Sequence, residues 1–209
     1  VTNRFGPILD AADVEAALLA HLELWLPTYI AEVVRQKDPD GELWPDGVEP
    51  VRSFTVVHAA EEKWPEDQIP MILAYSPGLT EPPEYHGDGE VSAKYAVGLA
   101  AIAGADTMAN TKALTRVYAS AAKAAIVQHE DLGGFALGTR WVDERNYPVV
   151  QGVDVERNLM AVSATYEIEA AAVLDRDEGP QAPSTEEQPP WGTVKSSEVT
   201  VEIVEDLPG

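Results

Sequence analysis

Between residues 158 and 174 apolar and polar side chains alternate. Met160, Val162, Ala164, Tyr166, Ile168, Ala170, Ala172 and Leu174 hold the even positions, with Ser163, Thr165, Glu167 and Glu169 among the odd ones. A period of two predicts a strand with one buried and one wetted face. At about 3.3 Å per residue it spans about 50 Å, against about six residues for a common strand. A strand of that length bends across a sheet or reaches past its own subunit. The segment 91–105 repeats the pattern, with Val91, Ala93, Tyr95, Val97, Leu99, Ala101 and Ala103 on one face.

Helical spacing occurs twice. Over 10–37, Val14, Leu18, Leu22, Trp25, Tyr29 and Val33 recur every three or four residues. Asp10 reads as the N-cap, and Asp13 adds negative charge to the positive helix end. Pro27 removes one backbone hydrogen bond and predicts a kink there, or two helices meeting at Leu26. Trp25 and Tyr29 are expected in the core rather than as a ligand platform. Over 108–130, capped by Asp106 or Thr107, the buried stripe is Leu114, Val117, Tyr118, Ala121 and Ala125. Its alanines suit close packing on a sheet or a neighbour, and Gly133-Gly134 ends the element.

Shorter signals complete the core. Residues 51–60 alternate weakly as a strand with His58 near its end, and 70–76 form a continuous apolar run suited to a buried strand. The Pro- and Gly-rich 77–89 reads as a loop, 137–150 as a strand anchored by Trp141, and 152–157 as a turn. The stretch 38–50 (DPDGELWPDGVEP) is turn chemistry throughout. Together these predict an α+β fold, a small mixed or antiparallel sheet packed by two main helices and followed by an extended C-terminal arm. The domain spans 1–174, and 175–192 (DRDEGPQAPSTEEQPPWG) has the composition of an extended linker. In 193–209 a strand pattern returns, with Val199, Val201 and Ile203 on one face. These are the expected assembly-arm residues, pairing with the chain's own sheet edge or with another subunit.

Composition narrows the function. The 209 residues suffice for one real core, and apolar content of 45% is that of a globular chain. The absence of cysteine excludes disulfides, thiolate metal sites and cysteine nucleophiles. Thirty-six acidic against fourteen basic side chains give a net charge of −22. With no Lys/Arg cluster, that disfavours binding to DNA or to an anionic membrane. No apolar run is expected to reach the roughly 20 residues of a membrane span, and no signal-peptide pattern is seen, so a cytosol-like compartment is expected.

The chemistry of a catalyst is missing: there is no Gly-rich phosphate loop, HExxH or GxSxG motif. The four histidines, His21, His58, His86 and His129, are scattered. Glu130-Asp131 and Asp143-Glu144 are sequence neighbours, which on a strand point apart. Asp38, Asp40 and Glu42 invite a calcium reading, but Gly41 arrives too early for an EF-hand, so a solvated acidic turn is expected. The enzyme rival is a metal-dependent hydrolase using Asp38, Asp40, His86 and Asp88. A further rival is an acidic decoy that mimics DNA and binds a basic protein. The expectation is a non-enzymatic protein without metal or cofactor.

Three passages resemble the tail terminator proteins of long-tailed (siphovirus-type) phages of actinobacteria: WLPTYIAEVVRQ at 25–36, GTRWVDERNYPVV at 138–150 and RNLMAVSATYEIEA at 157–170. They cover about a third of the chain, and the family's element order covers 10–174. The resemblance implies a small domain that forms a homo-hexameric ring, capping the tail tube and ending its polymerisation. Its implied partners are other copies, the major tail tube protein, the head-completion or stopper protein and the tape measure protein. DNA would pass through the ring without specific binding, and no membrane is involved. The location implied is the tail–neck junction of the virion, after assembly in the bacterial cytoplasm. The alternative is a head-completion stopper or adaptor of the same neck. The acidic tail is not part of the pattern associated with the family's core.

Overall fold

The computed structural model describes residues 8–57, 66–86, 90–149 and 158–175. In chain order the elements are helix α1 (Ala11–Lys37), strand β1 (Ser53–Val56), a short 3-10 turn (Glu66–Gln68) and strands β2 (Met71–Leu79), β3 (Glu84–Tyr85) and β4 (Glu90–Ala105). Helix α2 (Met108–Gln128) and strands β5 (Ala136–Val149) and β6 (Asn158–Asp175) follow. The chain is α+β, as its patterning predicts. One mixed sheet has the order β1-β2-β4-β6-β5, and β3 also pairs with β4. Only β1 and β2 run parallel; every other pairing is antiparallel.

Both helices cover one face of the sheet. The inward residues of β4 and β6 face each other in register, Val97 with Tyr166, Tyr95 with Ile168 and Ala93 with Ala170. Onto them α1 presents Val14, Leu18, Leu22 and Leu26, all fully buried. Each such side chain stabilises the fold by about 1.5–3 kcal/mol. From α2, Val117, Tyr118, Ala121, Ala122, Ala125 and Ile126 join this core, whereas Leu114 lies only at its margin.

Local chemistry sets the helix ends. Asp10 caps α1 by accepting from the Ala12 and Asp13 amides, while the Asp13 carboxylate accepts from the Asp10 amide at 2.8 Å. Thr107, rather than Asp106, caps α2. Pro27 does not split α1, which is a single helix of 27 residues. Pro27 and Glu23 are both exposed, so the carbonyl that loses its partner faces water. Helix α1 also corrects the membrane expectation, being long and apolar enough to cross a bilayer. Here its apolar stripe lies on the sheet instead.

The strands depart from their sequence limits in three places. Of 51–60, residues 51–57 are described and of these Ser53–Val56 form the strand; His58 lies outside the described residues. The region 77–89 is not all loop: β2 continues to Leu79 through a bulge between Tyr75 and Gly78, and Glu84–Tyr85 pairs with β4. The buried Glu15 carboxylate accepts from the Ser76 amide, and the Ser76 hydroxyl donates to the Ala96 carbonyl at 2.7 Å. Those bonds hold the bulge against α1 and β4. In β6 the alternation slips near its end, because a bulge opposite Val91–Ala93 inserts extra residues. Val173 is therefore buried and Leu174 is 44% exposed, the reverse of strict period two. Finally, Trp141 is not a buried anchor of β5; it is 46% exposed.

Candidate assembly surfaces

The face of the sheet away from the helices is graded along the strands. At one end Met71, Leu73, Ile102, Leu159 and Ala161 form a second small apolar cluster. Midway lies a shallow concavity of about 430 Å³, lined by Tyr75, Gly98, Ser163, Thr165 and Arg145 among others. The Tyr75 ring lies so close to Gly98 that a Cβ at 98 would overlap it. At the far end the face is ionic. Lys94 contacts Glu81 at 2.6 Å, and Arg140 pairs with Glu167 at 3.0 Å. In the concavity itself, the hydrogen bond from Arg145, 2.8 Å, holds the Asp143 carboxyl below the usual carboxylate range.

Among the described residues, strand β5 is the long edge of the sheet, with no strand on its outer side. It has 14 residues, against four for β1 at the opposite edge, and pairs with β6 on one side. Its pairing with β6 shifts between Trp141 and Asp143, which places Val142 in a bulge. Leu137 and Val142 are 59% and 56% exposed. The ammonium of Lys123, 4.2 Å from the Trp141 ring centre, bonds Glu144 at 2.7 Å, so α2 braces the middle of the edge. Asp143 and Glu144 lie opposite Thr165 and Ala164 and so point to opposite faces, as sequence neighbours on a strand should. An edge strand this long, with apolar side chains in the open, is a template for pairing with another chain.

The described residues of the hydrolase rival, Asp38, Asp40 and His86, are not grouped to hold a metal. Both carboxylate oxygens of Asp38 are taken by the amides of Glu42, Leu43 and Trp44, at 2.9–3.0 Å. Burial pushes the Asp38 carboxyl up, but those three donors outweigh it and hold it below its ordinary range. Asp38 is thus a buried organiser of the 38–44 loop, not part of a solvated acidic turn. His86 bonds the Ser92 hydroxyl at 2.9 Å, and Asp88 lies outside the described residues. No three His, Asp or Glu side chains among the described residues are grouped to hold a metal.

Two histidines act in packing. His129 stacks on Trp25 with ring centres 4.2 Å apart and meets the Tyr29 hydroxyl at 3.1 Å. Buried His21 contacts the Ala125 carbonyl at 3.2 Å. Trp25 and Tyr29 therefore pin α1 to the end of α2 at the half-buried margin of the core. The arm residues Val199, Val201 and Ile203 lie outside the described residues, as do the linker and arm beyond Asp175.

No family model matches the chain, and no curated protein matches it in sequence. Among solved structures, a chain of the virion of a native gene transfer agent (GTA) particle is similar at 10% identity and a TM-score of 0.32. The match covers 68% of this chain and 91% of that one. A score of that size is too low to carry a shared fold or function.

Proposed function

We propose that this chain is a structural virion protein that works by assembling with copies of itself, as a tail terminator. In this reading a ring of copies caps the tail tube, stops its polymerisation and joins it to the head connector. The observation that carries the reading is the edge of β5, which among the described residues has no outer partner, is long and bulged, and bears exposed Leu137 and Val142. Edge pairing extends a sheet from one subunit to the next, and a head-to-tail contact of this kind closes into a ring when its rotation closes. The arm 193–209 has a strand pattern, with Val199, Val201 and Ile203 on one face, of the kind a neighbour can accept. The partners in this reading are the tube protein, the stopper protein and the tape measure protein, with DNA passing through. A net charge of −22 suits a channel through which DNA slides without being held.

The test is native mass spectrometry with negative-stain imaging of the wild-type protein and of Val142→Lys. A closed ring of about six copies for the wild type, lost on placing a lysine in the edge, is the expected result. A wild-type protein that stays monomeric both alone and on tail tubes would sink the reading.

A further inference from the structure

Among the described residues, most cations of this acidic chain are neutralised in place. Arg35 pairs with Glu32, Arg52 with Glu49, Lys94 with Glu81, Lys123 with Glu144, Arg140 with Glu167 and Arg145 with Asp143. Among the described residues, Lys37, Lys112 and Arg116 have no carboxylate partner. They are not scattered. Lys37 and Arg116 border one groove of about 440 Å³ between the end of α1 and the flank of α2, and Lys112 lies one helical turn from Arg116. Val33, Leu43, Trp44 and Val117 supply its apolar lining. The one acid on its wall, Glu144, is already held by Lys123 at 2.7 Å. Leu43 and Trp44 sit on the loop whose amides Asp38 binds, so the groove is formed before anything enters it.

Beyond Asp175, one segment has the matching chemistry. Glu186-Glu187 is followed within two residues by Pro189-Pro190-Trp191, two anions beside an apolar, proline-stiffened triplet. Proline-rich segments dock into aromatic-lined grooves at low entropic cost, and flanking charges set their register. We propose that residues 186–191 of a second copy occupy this groove, with Glu186 and Glu187 facing Lys37 and Arg116 and Pro190-Trp191 on Trp44 and Leu43.

Reach favours a second copy over the chain's own tail. The amide of Leu9, just before α1, bonds the Val173 carbonyl at 2.9 Å, so α1 starts beside the end of β6. Lys37 lies at the other end of α1, about 40 Å away for 27 residues at about 1.5 Å each. The sheet agrees: Asn146, on the groove wall, pairs with Val162, thirteen residues before Asp175 and about 43 Å along β6. From Asp175 to Glu186 is eleven residue steps, which cover about 34 Å in the extended form that Pro180 and Pro183 favour. The chain's own tail would therefore have to run fully extended to its groove, whereas a neighbouring copy can bring its groove closer to Asp175.

The inference requires only that copies of the chain meet, and it can fail while the ring reading stands. Two full-length variants test it, Lys37→Glu/Arg116→Glu in the groove and Glu186→Lys/Glu187→Lys in the tail. All four positions are remote from the buried core or outside the described sheet, and thermal melts report whether each variant is folded. Association is followed by native mass spectrometry and sedimentation at low and high salt. Each variant alone should associate at least about tenfold more weakly than wild type, and an equimolar mixture should recover association, because each supplies the charge the other lacks. A peptide of residues 184–191 should compete with wild-type association at low salt. A groove variant that assembles like wild type overturns the docking, whether or not a ring forms. A mixture that stays apart, or a wild-type chain that never associates, overturns docking between copies.

Discussion

Thr111 joins three elements through one hydroxyl. Fully buried in the first turn of α2, its Oγ1 accepts from the Ala105 amide at 3.0 Å and donates to the Asn158 carbonyl at 3.0 Å. Thr111→Val keeps the volume but removes the hydroxyl from a half-buried amide and carbonyl, and should cost about 1–2 kcal/mol in denaturant unfolding. Tyr166 is the opposite case. Its buried hydroxyl has no hydrogen-bond partner, and burial raises its pKa well above the tyrosine range. Tyr166→Phe should therefore stabilise the protein by up to about 1 kcal/mol; a loss of similar size would contradict the structure. Asp38 links charge to pH. Its folded pKa is lowered, so its contribution is present above the ordinary carboxylate range and disappears as the pH falls through the folded value. Asp38→Asn should melt below wild type at neutral pH, with the gap closing below about pH 4.

At the scale of elements, β6 shows where periodicity stops being a guide. The even positions are inward as far as Ala170, after which the bulge turns Val173 in and Leu174 out. Val173→Ala should cost about 1–2 kcal/mol, and Leu174→Ala less than about 0.5 kcal/mol, in the same unfolding assay. A strict period of two predicts the reverse order. The long helices and the strands β4 and β6 were legible within a residue or two, because each sustains one period against one buried layer. The end of β2 was not, because Pro77 and Gly78 carry loop signals that Glu15, sixty-one residues away, overrides at Ser76. Trp141 misled for a related reason. A large aromatic in an alternating run reads as an anchor, yet this one rests under Lys123 at an open edge.

At the scale of the whole molecule, the sheet has a short edge at β1 and a long one at β5, and the chain continues for another 34 residues past Asp175. A chain ending at Leu174 should remain folded, since the described core lies almost wholly upstream of that point, but should assemble poorly. Unaltered melting with loss of higher oligomers in native mass spectrometry is the expected outcome; normal rings would show that the tail is dispensable. The groove beside Arg116 was invisible in the sequence. Lys37 and Arg116 are far apart along the chain, and which cations lack a carboxylate is known only once the carboxylates have positions.

The sequence by itself determined the types and order of the main elements (though not β3), the α+β class and the faces of α1, α2, β4 and most of β6. Those follow from local periodicity, capping and turn chemistry, which operate over a few residues. It also excluded chemistry that depends on cysteine. Only the tertiary structure decided the strand order, the exposed edge of β5, the bulges that re-aim Val142 and Leu174, and the burial of Asp38. Each of these depends on which distant segment supplies the partner for a backbone amide or a charge, and no local pattern encodes that choice.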